Sequence, residues 1–219
     1  MTDPVKPPRR YDASRRQEQA EENRARVLST AGRIFRAKGY ADTAMPEIAR
    51  AAGVSVQMVY KAFSNKATLL KAVFDVSVAG DTEQTSMAER DVIGAIQAEP
   101  DAVRKITMYV SHLAEGAPRY APLQLLARDA ASADRAAADV WAQMRQETLT
   151  AMTYFAAADL LATGQVREGL SAEEVRDVLW TYHSAEIYEL LVVARGWTTD
   201  RYGRFVTAAM IAGVLGSGT

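Results

Sequence analysis

Gly39-Tyr40-Ala41-Asp42-Thr43-Ala44-Met45-Pro46-Glu47-Ile48-Ala49-Arg50-Ala51-Ala52-Gly53-Val54-Ser55-Val56-Gln57-Met58-Val59-Tyr60-Lys61-Ala62-Phe63-Ser64-Asn65-Lys66 is the stretch that decides the fold. Two short helical patterns flank Gly53, and each begins at a hydroxyl residue. The first runs from Asp42 or Thr43 to about Ala52, with Ile48, Ala49 and Ala52 as its inner stripe. Gly53 can take positive φ without steric cost, so the chain can reverse there within a few residues. Ser55 then stands at the N-cap of a second helix whose Val59 and Phe63 share one face. Helix, glycine turn and short second helix is the pattern that sends the second helix into a DNA major groove.

Upstream, Val27, Leu28, Ala31, Ile34 and Phe35 recur at helical spacing, which predicts a helix from about Glu22 to Lys38, ended by Gly39. Its outward Arg24, Arg26, Arg33 and Arg36 are solvated charge or partial phosphate neutralisers. Residues 1–22 hold Pro4, Pro7 and Pro8 among Arg9, Arg10, Arg15 and Arg16, and read as a disordered basic arm. Arms of this kind can enter a neighbouring minor groove, although Glu18, Glu21 and Glu22 dilute the charge here.

Asn23 to Leu70 resembles the DNA-binding domain of the TetR (tetracycline-repressor) family. The resemblance rests on the amphipathic helix ending in Phe35 and Gly39-Tyr40, then Thr43, Ile48-Ala49, Ala52-Gly53-Val54-Ser55, Tyr60, Phe63 and Lys66. It implies an all-α protein: a three-helix helix-turn-helix domain at residues 23–66 and a helical ligand-binding and dimerisation domain at 67–219. It also implies roles. Thr43 would cap the second helix and touch phosphate, with Ala44 standing where similar proteins often carry another hydroxyl. Tyr60 resembles the family tyrosine that bonds the sugar-phosphate backbone, and Lys66, after a Ser64 cap, the family's phosphate-binding lysine. The residues add to this list. Ser55, Val56, Gln57, Tyr60 and Lys61 lie at the start or on the outer face of the recognition helix. Gln57 can pair bidentately with adenine, and Lys61 can reach guanine or a phosphate; for both the alternative is plain solvent exposure.

Charge agrees once the chain is divided. The whole carries −1. Residues 1–66 hold 13 Lys/Arg against 7 Asp/Glu, and the remainder 13 against 20, so a basic third precedes an acidic body. With no cysteine, disulfides and thiolate metal sites are excluded and a reducing cytoplasm is expected. No apolar run reaches the roughly 18 residues of a membrane span, and none follows the N-terminal basic residues as a signal peptide would require.

Beyond Ser64, Leu69, Leu70, Val73 and Phe74 begin a connecting helix that Gly80, Asp81 and Thr82 should end. Helices are then expected at 88–98, 101–116, 119–133, 135–163, 171–195 and 199–215, punctuated by Pro100, Gly116-Ala117-Pro118, Gly164, Gly169 and Gly196, with a capping box at Ser171–Glu174. The 171–195 segment is apolar on nearly all sides, and Ala208, Ala209, Ala212 and Gly213 form a small-residue seam in the last helix. Together they predict a homodimer through a four-helix interface. Met108 and His112 on one helix, with Trp141, Met144 and Phe155 on another, are candidate lining for an apolar effector pocket; ordinary core packing is the alternative. Arg128-Asp129 reads better as a helix-end salt bridge than as a ligand site.

Nothing in the chain suggests catalysis: two histidines, no cysteine, no nucleophile elbow, no phosphate loop and no metal-ligand spacing, so neither cofactor nor metal is expected. Three readings compete. The first is a ligand-responsive dimeric repressor that binds a palindromic operator. The second is a dimeric DNA-binding regulator without an effector. The third is an interaction or carrier protein whose helix-turn-helix no longer binds DNA. Neither the effector, the operator and its genes, nor repression against activation can be read from the chain.

Overall fold

The computed structural model describes residues 10–79 and 83–215. They are helical almost throughout, without a β-strand, and an isolated bridge joins Val166 and Leu215. The chain divides into two compact units, Met1–Val73 and Phe74–Thr219, a boundary slightly beyond the expected division after Lys66.

In the first unit α1 spans Arg10–Lys38, α2 Met45–Ala52, α3 Val56–Phe63, and α4, Lys66–Ala79, begins here. The disordered arm expected over residues 1–22 is corrected from Arg10 onward, because α1 starts there and not near Glu22. Residues 15–22 of α1 are exposed; spacings of three and four residues hold them, with Gln17 donating to Glu21 at 3.2 Å and Gln19 to Glu22 at 3.2 Å. The part of the arm before Arg10 lies outside the described residues. From Val27 the helix turns apolar, and Val27, Ala31 and Phe35 are buried with Ile48, Val59, Leu69 and Leu70. Burying each large side chain contributes about 1.5–3 kcal/mol. Gly32 lets α4 approach closely: a Cβ there would meet Val73 Cγ1 at 3.1 Å.

The turn between α2 and α3 needs Gly53, which sits at φ 68° and donates to the carbonyls of Ala49 and Arg50. Ser55 caps α3 by accepting from Met58 N–H at 3.2 Å. At the far end of α3, Ser64 adopts φ 56° although it is not glycine. The expected Ser64 cap of the next helix is corrected: Asn65 Oδ1 accepts from Thr68 N–H at 2.9 Å, and Asn65 N–H donates to Thr68 Oγ1 at 3.2 Å. This reciprocal pair fixes the start of α4.

In the second unit α5 is Glu83–Ala98, α6 Ala102–Ala130, α7 Arg135–Tyr154, α8 Ala172–His183, α9 Ala185–Tyr188 and α10 Thr199–Val214. The end of α4 expected at Gly80–Thr82 falls outside the described residues, and α5 starts before the expected residue 88. Two expected helices, 101–116 and 119–133, are one, with Pro118 and Pro122 inside it. A helix-interior proline costs about 3 kcal/mol; here it is offset by burial of Leu113, Ala117, Ala121 and Leu125 along the same helix. Gly116 is not a break but a space for the Tyr120 ring, since a Cβ there would lie 2.7 Å from Tyr120 Cε1. Tyr120 Oη donates back to the Leu113 carbonyl at 3.1 Å.

The 135–163 expectation holds as one continuous stretch, but α7 widens into a π-helix at Phe155–Leu160 before a 3₁₀ turn to Thr163. The single helix expected at 171–195 is broken. Ser184 is extended at ψ 145°, and α9 runs on into a second π-turn, Glu189–Val193. The break lets both sides bury an aromatic group: His183 stacks on Tyr109, and Tyr188 meets Tyr202 edge-on at 5.7 Å. The capping box forms as read, with Glu174 Oε2 accepting from Ser171 N–H at 2.8 Å. α10 packs along α6 and α8, and Gly213 is turned to Val178 of α8, where a Cβ would come within 2.8 Å. That part of the seam therefore serves packing within the chain. Among the described residues no helix is long and apolar enough to cross a membrane.

Candidate nucleic-acid interface and ligand cavity

The recognition helix is anchored on one side and open on the other. Val59 is fully buried and Phe63 nearly so, which orients α3 without using its outer face. Gln57 and Lys61, four residues apart, are exposed on that face, with Tyr60 beside them at 46% exposure and Val56 half-buried at the first turn. An amide, an ammonium and a phenol in a row offer donors for base edges and backbone oxygens together. Ser55 is exposed, but its hydroxyl oxygen already accepts from Met58 N–H. Arg24 lies over the Phe63 ring at 4.5 Å, so a guanidinium of α1 is held at the end of α3.

Two expected phosphate contacts are placed differently. Thr43 is buried, and its hydroxyl donates to the Gly39 carbonyl at 2.6 Å. Ala44 takes the N-cap of α2, with no side-chain cap bond. Thr43 therefore locks the α1–α2 loop and does not cap the helix, because the loop after Gly39 turns its hydroxyl inward. Lys66 Nζ donates to the carbonyls of Tyr40 at 2.7 Å and Ala41 at 3.3 Å and sits 4.2 Å from the Tyr40 ring centre. Its ammonium satisfies the carbonyls left open beyond the end of α1. Lys38 pairs with Glu47 across the same loop.

The second unit holds two half-open cavities that share part of their lining. A cavity of about 380 Å³ lies among α4, α5, α6, α7 and the end of α8, with Phe74, Tyr109, His112, Tyr120, Met144 and Met152 in its wall. A smaller one of about 190 Å³ is bounded by Trp141, Arg145, Trp180 and the 181–186 break. Gln124 of α6, Thr148 of α7 and His183 of α8 line both. His183 Nδ1 is hydrogen-bonded to Tyr109 Oη, and burial pulls the His183 pKa down to about 4, so the ring is neutral at pH 7. Burial, with smaller contributions from Tyr120 and Tyr202, pushes the Tyr109 phenol well up, so it too stays neutral. Of the proposed lining, His112, Trp141 and Met144 face these cavities. Met108 is half-buried against the core and Phe155 packs on Tyr109 at 4.7 Å, and neither is in the wall of these two cavities. The Arg128-Asp129 pair extends to Glu189, whose carboxylate takes the guanidinium at 2.6 and 2.9 Å. That fork fastens the end of α6 to the second π-turn. Among the described residues no three His, Asp or Glu converge as metal ligands.

Residues 27–73 match the family model described as bacterial regulatory proteins, tetR family. The N-terminal domain belongs to the TetR family. Among curated relatives, 61 residues are 41% identical to the HTH-type transcriptional regulator TtgR of Pseudomonas putida, a match over 28% of this chain and 29% of that protein. The chain thus aligns with less than a third of its curated relatives' length. Similarity of fold extends much further. FadR of Bacillus subtilis, a transcriptional regulator solved with stearoyl-CoA, superposes with a TM-score of 0.67 at 19% identity over 86% of this chain and 97% of that one. NalD of Pseudomonas aeruginosa, described as the secondary repressor of a multidrug efflux pump, gives 0.63 at 19% identity over 92% and 100%.

Within the TetR-family domain the structure brings Ser55, Val56, Gln57, Tyr60 and Lys61 onto one helix and sets Thr43 and Lys66 into the loop behind it. Sequence reasoning missed Met58, which is 37% exposed on the same helix and can contact a thymine methyl. Its position between Gln57 and Val59 was the available signal, since only Val59 fits the inner face. Gln124 was missed as well; a lone glutamine between leucines on a buried helix was the mark it left.

Proposed function

We propose that the chain is a dimeric, ligand-responsive transcription regulator that reads a two-fold operator with α3 and leaves it when a small apolar molecule fills the second unit. The observation that carries the reading is the open face of α3, Gln57, Tyr60 and Lys61, on a helix capped by Ser55 and anchored by Val59 and Phe63. Gln57 serves base readout, Tyr60 and Lys61 the backbone and adjoining bases, and Arg24 adds positive charge at the end of the helix. Thr43 and Lys66 hold the loop that sets the angle of α2; a phosphate contact by either requires it to leave its carbonyl partner.

Dimerisation is assigned to α8–α10. Leu190, Val193 and Phe205 are exposed at 58%, 63% and 42%. Ala208 and Ala212 continue the exposed stripe of Phe205 along α10, which allows a second helix to approach closely. Coupling is assigned to α4. It is the covalent link between the units, and Phe74, Asp75 and Val78 in its second half line the larger cavity. A ligand that favours the non-binding arrangement 100-fold shifts the equilibrium by about 2.7 kcal/mol, enough to vacate an operator. NalD's description as a repressor and FadR's complex with an acyl-CoA support the direction and the presence of a ligand.

The test is selection of genomic fragments on the full-length protein, followed by binding at two salt concentrations. Dyad-related half-sites about one helical turn apart, or a multiple, and an affinity that falls steeply with salt are expected. Equal retention of all fragments would contradict specific readout.

A further inference from the structure

We propose that the two cavities that share Gln124 are lobes of one site, and that this site takes an uncharged biaryl compound whose O–H or N–H donates a hydrogen bond to Gln124 Oε1. The inference rests on the reading of this unit as the ligand-binding one, and it adds the chemistry of the ligand. Gln124 is 6% exposed, and its Oε1 is the buried side-chain oxygen or nitrogen that has no hydrogen-bond partner among the described residues. An unmet acceptor at that depth is costly unless something fills it. Gln124 lines both cavities, and it does so together with Thr148 and His183, so the two spaces meet where α6, α7 and α8 converge.

The other polar side chains at the junction are already engaged as donors or as a ring acceptor. Thr148 Oγ1 gives its proton to the Met144 carbonyl at 3.0 Å and so can meet a ligand only as a second, neutral acceptor. His183 Nδ1 is engaged with Tyr109 Oη. An imidazole nitrogen is a far better acceptor than a thioether, so the phenol proton goes to His183 before Met152, which leaves His183 Nε2–H as a donor in the wall of the same lobes. The junction thus offers the Gln124 carbonyl and the Thr148 hydroxyl oxygen as acceptors and N–H donors on Gln124 and His183, the complement of a phenol or an anilide. The lobes hold Asp75, Glu147 and Glu186 against Arg119 and Arg145, so no excess of positive charge stands there to balance an anionic ligand. Asp75, Arg119 and Glu147 in the larger lobe each interact within the chain already, and Arg145 lies over the Trp141 and Trp180 rings at 5.6 and 4.9 Å. Each lobe has aromatic walls, Tyr109 and Tyr120 in one, Trp141 and Trp180 in the other, which suits one ring in each.

The experiment uses the full chain and matched probe pairs: biaryl phenols such as 4-phenylphenol against their O-methyl ethers, biaryl anilides against their N-methyl forms, and single-ring phenols as a size control. Binding is read by thermal shift and by quenching of tryptophan fluorescence. The wild type should bind the donor of each pair at least about tenfold more tightly than its methylated partner. Gln124→Leu should level the pairs while melting no lower than wild type, because it removes an unmet polar group; Gln124→Met, of nearly the same length, gives the same comparison independently of how a branched side chain packs. Equal binding of donor and methylated probes to the wild type overturns the role of Gln124 and leaves the ligand-binding reading standing. Binding of single-ring phenols with exclusion of biaryls overturns the union of the lobes. No binding by any probe overturns the biaryl site and leaves the effector reading to a ligand of another class.

Discussion

The two units differ at one buried polar group: Lys105 in the second is satisfied, its ammonium donating to the Gln97 carbonyl at 2.8 Å, as Thr43 is in the first, but Gln124 is not. In the first, Thr43 and Lys66 are turned inward, and each is fully engaged with backbone carbonyls of the Gly39–Ala41 loop. In the second, Gln124 is turned inward with an oxygen that nothing in the described chain meets. A unit that satisfies its interior presents its chemistry on its outside, on the face of α3. A unit that leaves an acceptor open inside keeps its chemistry for what enters. The lesson concerns cost: the second arrangement sacrifices stability of the empty protein in exchange for recognition of a guest.

The contrast can be broken most severely by removing a large side chain from the first unit. Phe35→Ala should destabilise that unit by about 3–5 kcal/mol, since Phe35 is fully buried and stacks on Tyr40. Hydrogen exchange should show protection lost over residues 27–73 and kept in α6 and α10; uniform loss would make the two units one cooperative body. Lys66→Ala comes next. It strips two carbonyls of their donor and should cost about 1–3 kcal/mol in denaturant unfolding, in addition to any effect on DNA. A variant as stable as wild type would return Lys66 to the phosphate role alone.

Acid sharpens the contrast from the other side. His183 has a pKa of about 4 in the folded chain, against 6.5 when solvated, because burial penalises its cation. A base whose folded pKa is depressed contributes stability that is complete above the unfolded value and is lost as protons bind the unfolded chain. Stability should therefore fall by about 2 kcal/mol between pH 6.5 and pH 4 through this group. His183→Gln should flatten that part of the urea midpoint against pH, and an unchanged slope would remove His183 as its source. The smallest effect has the opposite sign: Gln124→Leu should raise stability by about 1 kcal/mol, where the same change at an ordinary satisfied glutamine would lower it.

The same contrast explains how far the sequence could be read. α2, α3 and their turn are set by local chemistry: Gly53 at positive φ, Ser55 accepting from Met58, and Val59 and Phe63 on one face. Each signal lies within a few residues of the structure it fixes. Thr43 failed as a cap because the outcome depended on where the loop after Gly39 pointed its hydroxyl, a matter of tertiary geometry. In the second unit the deciding contacts are long-range. Gly116-Ala117-Pro118 read as a helix boundary, yet packing along α6 kept the helix whole, with Pro122 inside it as well. The break at Ser184 follows from the buried places available to His183 and Tyr188 and has no proline or glycine to announce it. His112, Trp141 and Met144 were recognisable as lining from their chemistry, whereas Gln124 became a site residue only when three helices closed around it.

The most direct test of the account measures wild type and Gln57→Ala on the selected operator and on single-base substitutions of it, at fixed salt. The account predicts that Gln57→Ala loses about 1–3 kcal/mol on the parent operator. It also predicts that discrimination vanishes at one base position in each half-site and is unchanged at the rest. An equal loss on every sequence, or no loss at all, would contradict the claim that the outer face of α3 reads DNA.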